Sequence, residues 1–125
     1  MTRDSKFMSL KAKPDASKQA NSKPLRGLER REKVSELVPN KEVKRLELVV
    51  LRKYPRRILS TDSYKGPVAA GCGRDETGIV GIVFWGRQVD KVKVGDIIRI
   101  ESGWCKRRDG EIIVSSGKYG HLSVI

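Results

Sequence analysis

Two tryptophans stand where they could stack on unpaired nucleic-acid bases. Trp85 ends the run GIVGIVFW at residues 78–85, and Trp104 ends the run IIRIESGW at residues 97–104. Consecutive residues of a strand point to opposite faces, so Phe84 and Trp85 cannot share one core. With Phe84 inside, Trp85 faces outward beside Gly81, where a ligand can approach closely. We interpret Trp85 as a stacking platform, with a cap by the N-terminal segment or a loop as the alternative.

Two basic clusters accompany these tryptophans. The tip of a predicted hairpin, CKRRDG at residues 105–110, follows Trp104 directly; such a tip can serve solubility alone, but this position favours a clamp on a bound strand. The run LRKYPRRILS places four cations around Tyr54, and they would repel one another without a polyanion. Whether Tyr54 stacks on a base or packs under its loop stays open. The predicted nucleic-acid contacts are Trp85, Trp104, Arg52, Lys53, Tyr54, Arg56, Arg57, Arg87, Lys106, Arg107, Arg108 and Lys118.

The overall charge supports a polyanionic partner. The 125 residues include 27 Lys and Arg against 15 Asp and Glu, a net charge of +12. Such a balance predicts nucleic-acid binding. A membrane is not expected, because no apolar run approaches the roughly 20 residues of a span and the N-terminus lacks the apolar centre of a secretory signal. We therefore expect a cytoplasmic protein.

The sequence contains no motif typical of a catalytic or metal-binding site. Cys72 and Cys105 form no CxxC pair, and His121 is the single histidine, so no metal site is predicted. We interpret both cysteines as small apolar residues in a reducing compartment. The glycines of GCGRDETG lead into a strand rather than a helix, unlike a phosphate-binding loop. We expect neither a cofactor nor enzymatic activity.

Five short strands must position these residues, which predicts an all-β fold, a small barrel or sandwich. They span residues 43–52, 67–73, 78–85, 97–104 and 111–116, with one helical turn before Gly95 and a hairpin turn at Asp109-Gly110. Alternation puts Ile98 and Ile100 on one face and Arg99 and Glu101 on the other, so the even positions of the fourth strand are predicted inside. Tyr119 is expected to seal the end of the barrel.

The N-terminal residues have a different composition. Residues 1–24, the first part of an arm that we place at residues 1–32, are rich in Lys, Ser, Ala and Asp, and proline interrupts them at positions 14 and 24. Few apolar side chains could offset the entropy of ordering, so we predict an extended basic arm, disordered when free, before a nucleic-acid-binding domain at 33–125. The predicted phosphate contacts of this arm are Lys11, Lys13, Lys18, Lys23, Arg26, Arg30 and Arg31.

Residues 33–121 resemble the OB-fold single-stranded DNA-binding proteins of archaea and their replication protein A relatives. The resemblance lies in the order and spacing of VSELVPN, DETG, FWG, VGD and ESGW. It implies a five-stranded OB-fold barrel that binds single strands without catalysis, with Trp85 and Trp104 as stacking residues. A third aromatic of the family falls at Arg108, which shifts the balance from stacking toward charge.

Two functions remain open. The family motifs favour a free single-stranded DNA-binding protein of replication or repair. The charge, the basic arm and the lost third aromatic favour a structural RNA-binding component of an archaeal ribosome or similar ribonucleoprotein, with ribosomal proteins as further partners. From the sequence we favour the RNA-binding function, and a protein–protein adaptor is less favoured because it would not need this charge.

Overall fold

The computed structural model describes residues 30–125, in which the apolar alternation of the sequence forms seven strands. A single 3-10 turn at Val34–Glu36 precedes them, and the short helix α1 (Gln88–Lys91) separates the fourth strand from the fifth. The strands are β1 (Lys41–Lys53), β2 (Arg57–Ser60), β3 (Lys65–Asp75), β4 (Gly78–Trp85), β5 (Ile97–Arg108), β6 (Glu111–Ser115) and β7 (His121–Val124).

Five of these strands close into a barrel, as the OB-fold prediction required. β1 pairs with β3, β3 with β4, β6 with β5 and β5 with β1, all antiparallel, and a short parallel pairing of β4 with β6 completes the circle. The long β1 serves two neighbours, pairing with β5 through residues 41–49 and with β3 through residues 49–53. Closure leaves no open edge between the five strands.

β2 and β7 are additions that were not predicted. β2 lies within the β1–β3 connection and pairs with β3, and β7 pairs with the first half of β5. Each has four residues. Segments this short have too few alternating apolar positions to stand out from a loop in the sequence.

The barrel interior holds the apolar face that alternation predicted. Phe84 is fully buried and Ile82 is 1% exposed, while Val83 and Trp85 remain half-buried on the outer side. Ile98 and Ile100 are fully buried as predicted. Cys105 also lies in the core, and burial raises the pKa of its thiol, so it is an unreactive core residue.

The inward-facing positions of β5 change from even to odd at Ser102. This serine has φ 54°, in the left-handed region, and the residues that follow it inside the barrel are Gly103 and Cys105. The prediction that even positions lie inside holds for Ile98 and Ile100 but fails beyond Ser102. The left-handed residue therefore turns Trp104 outward, although its even number would have placed it in the core.

The turn between β3 and β4 fastens the N-terminal segment to the barrel. One oxygen of the Asp75 carboxylate accepts the backbone N–H of Thr77 at 2.7 Å, and the other accepts the backbone N–H of Val34 at 2.8 Å. Burial alone would raise the pKa of Asp75, but these hydrogen bonds outweigh it and lower the pKa. Through Asp75, the DETG motif thus fixes the position of the Val34–Glu36 turn against the barrel.

Contacts with the barrel begin before the predicted boundary at residue 33. The backbone N–H of Glu32 donates to the Arg45 carbonyl at 2.7 Å, and its carboxylate accepts the Lys44 N–H at 2.9 Å. Arg31 forms an ion pair with Glu76. The predicted arm up to residue 29 lies outside the described residues.

Candidate nucleic-acid interface

One outer face of the barrel carries both tryptophans. On the β5–β6 ladder Trp104 lies opposite Ser115 and Lys106 lies opposite Ile113, and Ile113 is in turn level with Gly81 of β4. Side chains two residues apart on a strand share a face, so Trp85 lies on the same face as Gly81. The pairing therefore sets Trp85 and Trp104 on one continuous surface formed by β4, β6 and β5.

This surface continues into a groove of about 830 Å³. We call it the aromatic groove and define it by three pairs of side chains: the two tryptophans, two tyrosines and two lysines. Trp104 is 44% exposed and Trp85 is half-buried. The aromatic and basic side chains of the aromatic groove are Tyr64, Trp85, Trp104, Lys106, Lys118 and Tyr119, and one acidic side chain, Glu42, also lines it.

Tyr64 supports the indole of Trp85 from one side. Their ring centroids are 4.8 Å apart with an interplanar angle of 75°, an edge-to-face contact. The Tyr64 hydroxyl donates to the Pro67 carbonyl at 2.7 Å, which fixes the ring. A loop residue therefore covers one edge of Trp85, yet the indole still lines the groove. In the sequence Tyr64 carried less weight than Tyr54 and was not predicted as a contact, and its position in the β1–β3 connection was the one available signal.

The backbone at the end of β4 is linked through Gln88 to the residue that follows β6. Gln88, the first residue of α1, accepts the backbone N–H of Trp85 through Oε1 at 3.0 Å and donates through Nε2 to the Ser116 hydroxyl at 3.0 Å. This pair of bonds fixes the position from which the Trp85 side chain projects.

Two glycines allow the close packing that positions Trp104. A Cβ on Gly103 would collide with the Ser115 carbonyl oxygen, and one on Gly117 would lie 3.2 Å from the Trp104 Cβ. Gly117 also has φ 65°, which favours glycine. A third glycine has a different role from the predicted one: a Cβ on Gly81 would lie 2.8 Å from Cγ2 of Ile113. Its small size thus accommodates Ile113 of β6.

The hairpin cations divide between two sites. Lys106 lines the aromatic groove, and Arg108, two residues further along β5, points to the same side by alternation. Arg107 donates to the Gly110 carbonyl at 3.2 Å and lines a second pocket with Tyr54. Tyr54 is 49% exposed, so it is not packed beneath its loop.

The predicted cluster around Tyr54 also divides. Lys53 donates through Nζ to the carbonyl oxygens of Val89 and Val92, the latter at 2.7 Å, and so binds the C-terminal end of α1. Arg56 forms an ion pair with Asp90 at 2.9 Å. Three other predicted contacts are exposed without joining the aromatic groove, namely Arg52, Arg57 and Arg87.

The two described arginines of the predicted arm face acidic side chains. Arg31 donates from both terminal nitrogens to Glu76, at 3.1 and 2.5 Å, and Arg30 lies 3.5 Å from the carboxylate of Glu36. The hydrogen bond and charge of Arg31 lower the pKa of Glu76. The remaining predicted arm contacts lie outside the described residues, namely Lys11, Lys13, Lys18, Lys23 and Arg26.

Two negative observations concern the described part of the chain. Residues 30–125 contain no group of three or more His, Cys, Asp or Glu side chains that could hold a metal ion. Within the same range, helices are too short and too polar to cross a membrane.

Comparison with known proteins gives a consistent result, although no family model matches the chain. The single-stranded DNA binding protein Ssb of Saccharolobus solfataricus is 29% identical over 86 residues, which are 69% of this chain and 58% of Ssb. This chain thus spans less than two thirds of that curated relative.

Solved structures extend the match. A crystal structure of a domain of replication protein A from Methanococcus maripaludis is 30% identical with a TM-score of 0.62, covering 77% of this chain and 96% of that domain. The OB domain of Ta0387 from Thermoplasma acidophilum, 17% identical with a TM-score of 0.64 over 76% of this chain and 86% of that domain, has the same fold. The barrel, its motifs and these relatives together show that the chain belongs to the archaeal single-stranded DNA-binding and replication protein A-like OB-fold family.

Proposed function

We propose that this protein binds single-stranded DNA in the aromatic groove, without catalysis. The observation that carries the proposal is the placement of Trp85 and Trp104 on one outer face, in one groove with Lys106 and Lys118. Aromatic platforms combined with a basic groove hold single strands with little sequence preference, because every base offers a π-face and every nucleotide a phosphate.

The spacing of the tryptophans suits two different nucleotides. Trp104 lies two strands away from β4, and its Ser115 partner is level with Val83, two residues before Trp85. With standard strand spacing and rise, the two Cα atoms are roughly 12 Å apart. One base cannot span that separation, so each indole stacks on its own base while the strand runs across β6.

Charge supplies the second part of the affinity. Lys106 and Lys118 flank the indoles, and Arg108 projects on the same side of the hairpin. Each phosphate neutralised on a single strand contributes about −0.7 to the slope of log affinity against log salt. Lys53 and Arg31 are assigned structural roles instead, because their side chains are already held by α1 carbonyls and by Glu76.

DNA is favoured over RNA by the relatives. Ssb of Saccharolobus solfataricus is a single-stranded DNA binding protein, and the Methanococcus maripaludis domains belong to replication protein A. They favour the DNA-binding alternative over the ribosomal interpretation of the sequence, which depended on the charge and on an arm that lies largely outside the described residues. As parts of this proposal, we place the protein in the cytoplasm and include no ribosomal protein among its partners.

Fluorescence anisotropy of labelled oligomers tests the proposal. The full chain is titrated with dT, rU and duplex DNA of equal length, and then the variants Trp85→Ala and Trp104→Ala are titrated with dT. We expect dT to bind most tightly and each variant to lose about 1–3 kcal/mol, the contribution of one stacked base.

Ile97→Ala is a matched control for Trp104→Ala. Ile97 begins the same strand and is 46% exposed, close to the 44% of Trp104, but it lies outside the aromatic groove. It should change the affinity by less than about 0.5 kcal/mol. Equal affinity of Trp104→Ala and wild type, or equal binding of duplex and dT, would show that the groove does not stack bases. Tighter binding of rU than of dT would instead support the RNA-binding function that the sequence favoured.

A further inference from the structure

The loop between β6 and β7, residues 116–120, lies at one end of the aromatic groove and is anchored at both of its ends. The Gly117 N–H donates to the Ser115 hydroxyl at 3.0 Å, and the Gly120 N–H donates to the Ser116 carbonyl at 3.0 Å. A Cβ on Gly120 would collide with the carbonyl oxygens of Ser102 and Glu101. The loop is therefore pressed against β5 at the residue that turns Trp104 outward.

This anchored loop presents Tyr119 to solvent. Tyr119 is 82% exposed, the highest value among the exposed large hydrophobic residues of the described chain. The prediction that it seals the barrel end is wrong, because a sealing residue would be buried. Its ring lines the aromatic groove with both tryptophans, and Lys118 places its Nζ 5.6 Å from the ring centroid. An exposed aromatic ring beside a cation is the combination that stacking platforms for unpaired bases use.

The opposite side of the groove has no such platform. Beyond Trp104 the β5–β6 hairpin carries Lys106, Arg107 and Arg108, and residues 105–111 include no aromatic side chain. A strand that has stacked on Trp85 and Trp104 finds its next π-face at Tyr119, whereas the hairpin offers charge.

We propose that Tyr119 is the third stacking platform of this protein, so that a bound single strand leaves the aromatic groove over the β6–β7 loop while Lys118 contacts the adjacent phosphate. This inference rests on the proposed function of the same groove. It adds a residue that the sequence motifs did not indicate. It also defines the path of the bound nucleic acid across the barrel, past the two tryptophans and then over Tyr119.

Affinity measurements on Tyr119→Ala and Tyr119→Phe test the inference, with dT oligomers of increasing length and the full chain. Loss of one stacked base weakens binding roughly 5- to 160-fold. We expect that loss for Tyr119→Ala on long oligomers, a smaller loss on oligomers too short to reach the loop, and near wild-type affinity for Tyr119→Phe, which keeps the ring. Photocrosslinking of iodouracil-containing oligomers should label residue 119.

The outcomes separate the two proposals. If Trp104→Ala weakens binding while Tyr119→Ala binds long dT like wild type, Tyr119 is not a platform and the groove proposal stands. If neither variant weakens binding, the groove proposal itself fails. If Tyr119→Phe loses as much affinity as Tyr119→Ala, the hydroxyl rather than the ring makes the contact, which also overturns the inference. Unchanged thermal unfolding of both variants excludes a folding defect.

Discussion

Replacing Asp75 with Asn should destabilise the barrel and reduce its sensitivity to acid. The Asp75 side chain is 2% exposed. One carboxylate oxygen accepts hydrogen bonds from the Thr77 N–H, the Thr77 hydroxyl and the Gly78 N–H, and the other accepts the Val34 N–H. An amide offers one acceptor oxygen only, so its NH₂ group must face a backbone donor and leave that donor unpaired.

The size of the effect follows from this count. Hydrogen bonds to a charged group contribute about 1.5–3 kcal/mol, and a buried donor without a partner costs about 1–3 kcal/mol. We expect Asp75→Asn to lower the free energy of unfolding by about 2–3 kcal/mol. For a domain of this size that corresponds to a fall in Tm of roughly 10–20 °C.

The pH dependence has a definite sign. Burial alone would raise the pKa of Asp75, but the hydrogen bonds from Thr77, Val34 and Gly78 outweigh it, so the pKa is lower in the folded state than in the unfolded state. The resulting stabilisation is present above the unfolded-state value of about 3.9 and is lost as the pH falls through the folded-state pKa. The wild type should therefore lose stability below about pH 4, and Asp75→Asn should lose less.

Urea unfolding followed by tryptophan fluorescence, repeated from neutral pH to acid, measures both effects. Asp62→Asn is the matched control, because Asp62 is exposed in the β2–β3 connection and should change the unfolding free energy little. The reasoning would be refuted by an Asp75→Asn variant as stable as wild type at neutral pH, or by one with undiminished loss of stability in acid.

Two further predictions concern the residues around the groove. Lys53→Met should lower the unfolding free energy by about 1.5–3 kcal/mol, since it removes the charged donor to the α1 carbonyls, but should leave the salt dependence of dT binding unchanged; a shallower salt slope would make Lys53 a phosphate contact. Tyr64→Ala should weaken dT binding more than Tyr64→Phe, because phenylalanine keeps the ring edge against Trp85; equal affinities in anisotropy titrations would show that this support is not needed.

Prediction from sequence worked best where one strand carries its own pattern. Ile98 and Ile100 of β5 alternate with Arg99 and Glu101, so their burial followed from that strand alone. β4 is apolar on both faces, and its inward face was assigned only with the help of β5. The family motifs likewise led to the OB-fold barrel. Prediction failed for Tyr119, whose neighbours in the sequence do not reveal that Gly120 presses its loop against β5.

The sequence by itself determined the five strands of the barrel, the inward positions of Ile98 and Ile100 and the presence of two tryptophans at strand ends, because alternation and turn residues are local properties of the chain. Only the tertiary structure decided how these residues combine. The left-handed Ser102 turned Trp104 outward, and the α1 carbonyls engaged Lys53. Strand pairing brought Tyr64 and Tyr119 to the same groove. Each of these outcomes depends on contacts between distant segments, which exist only when the barrel closes.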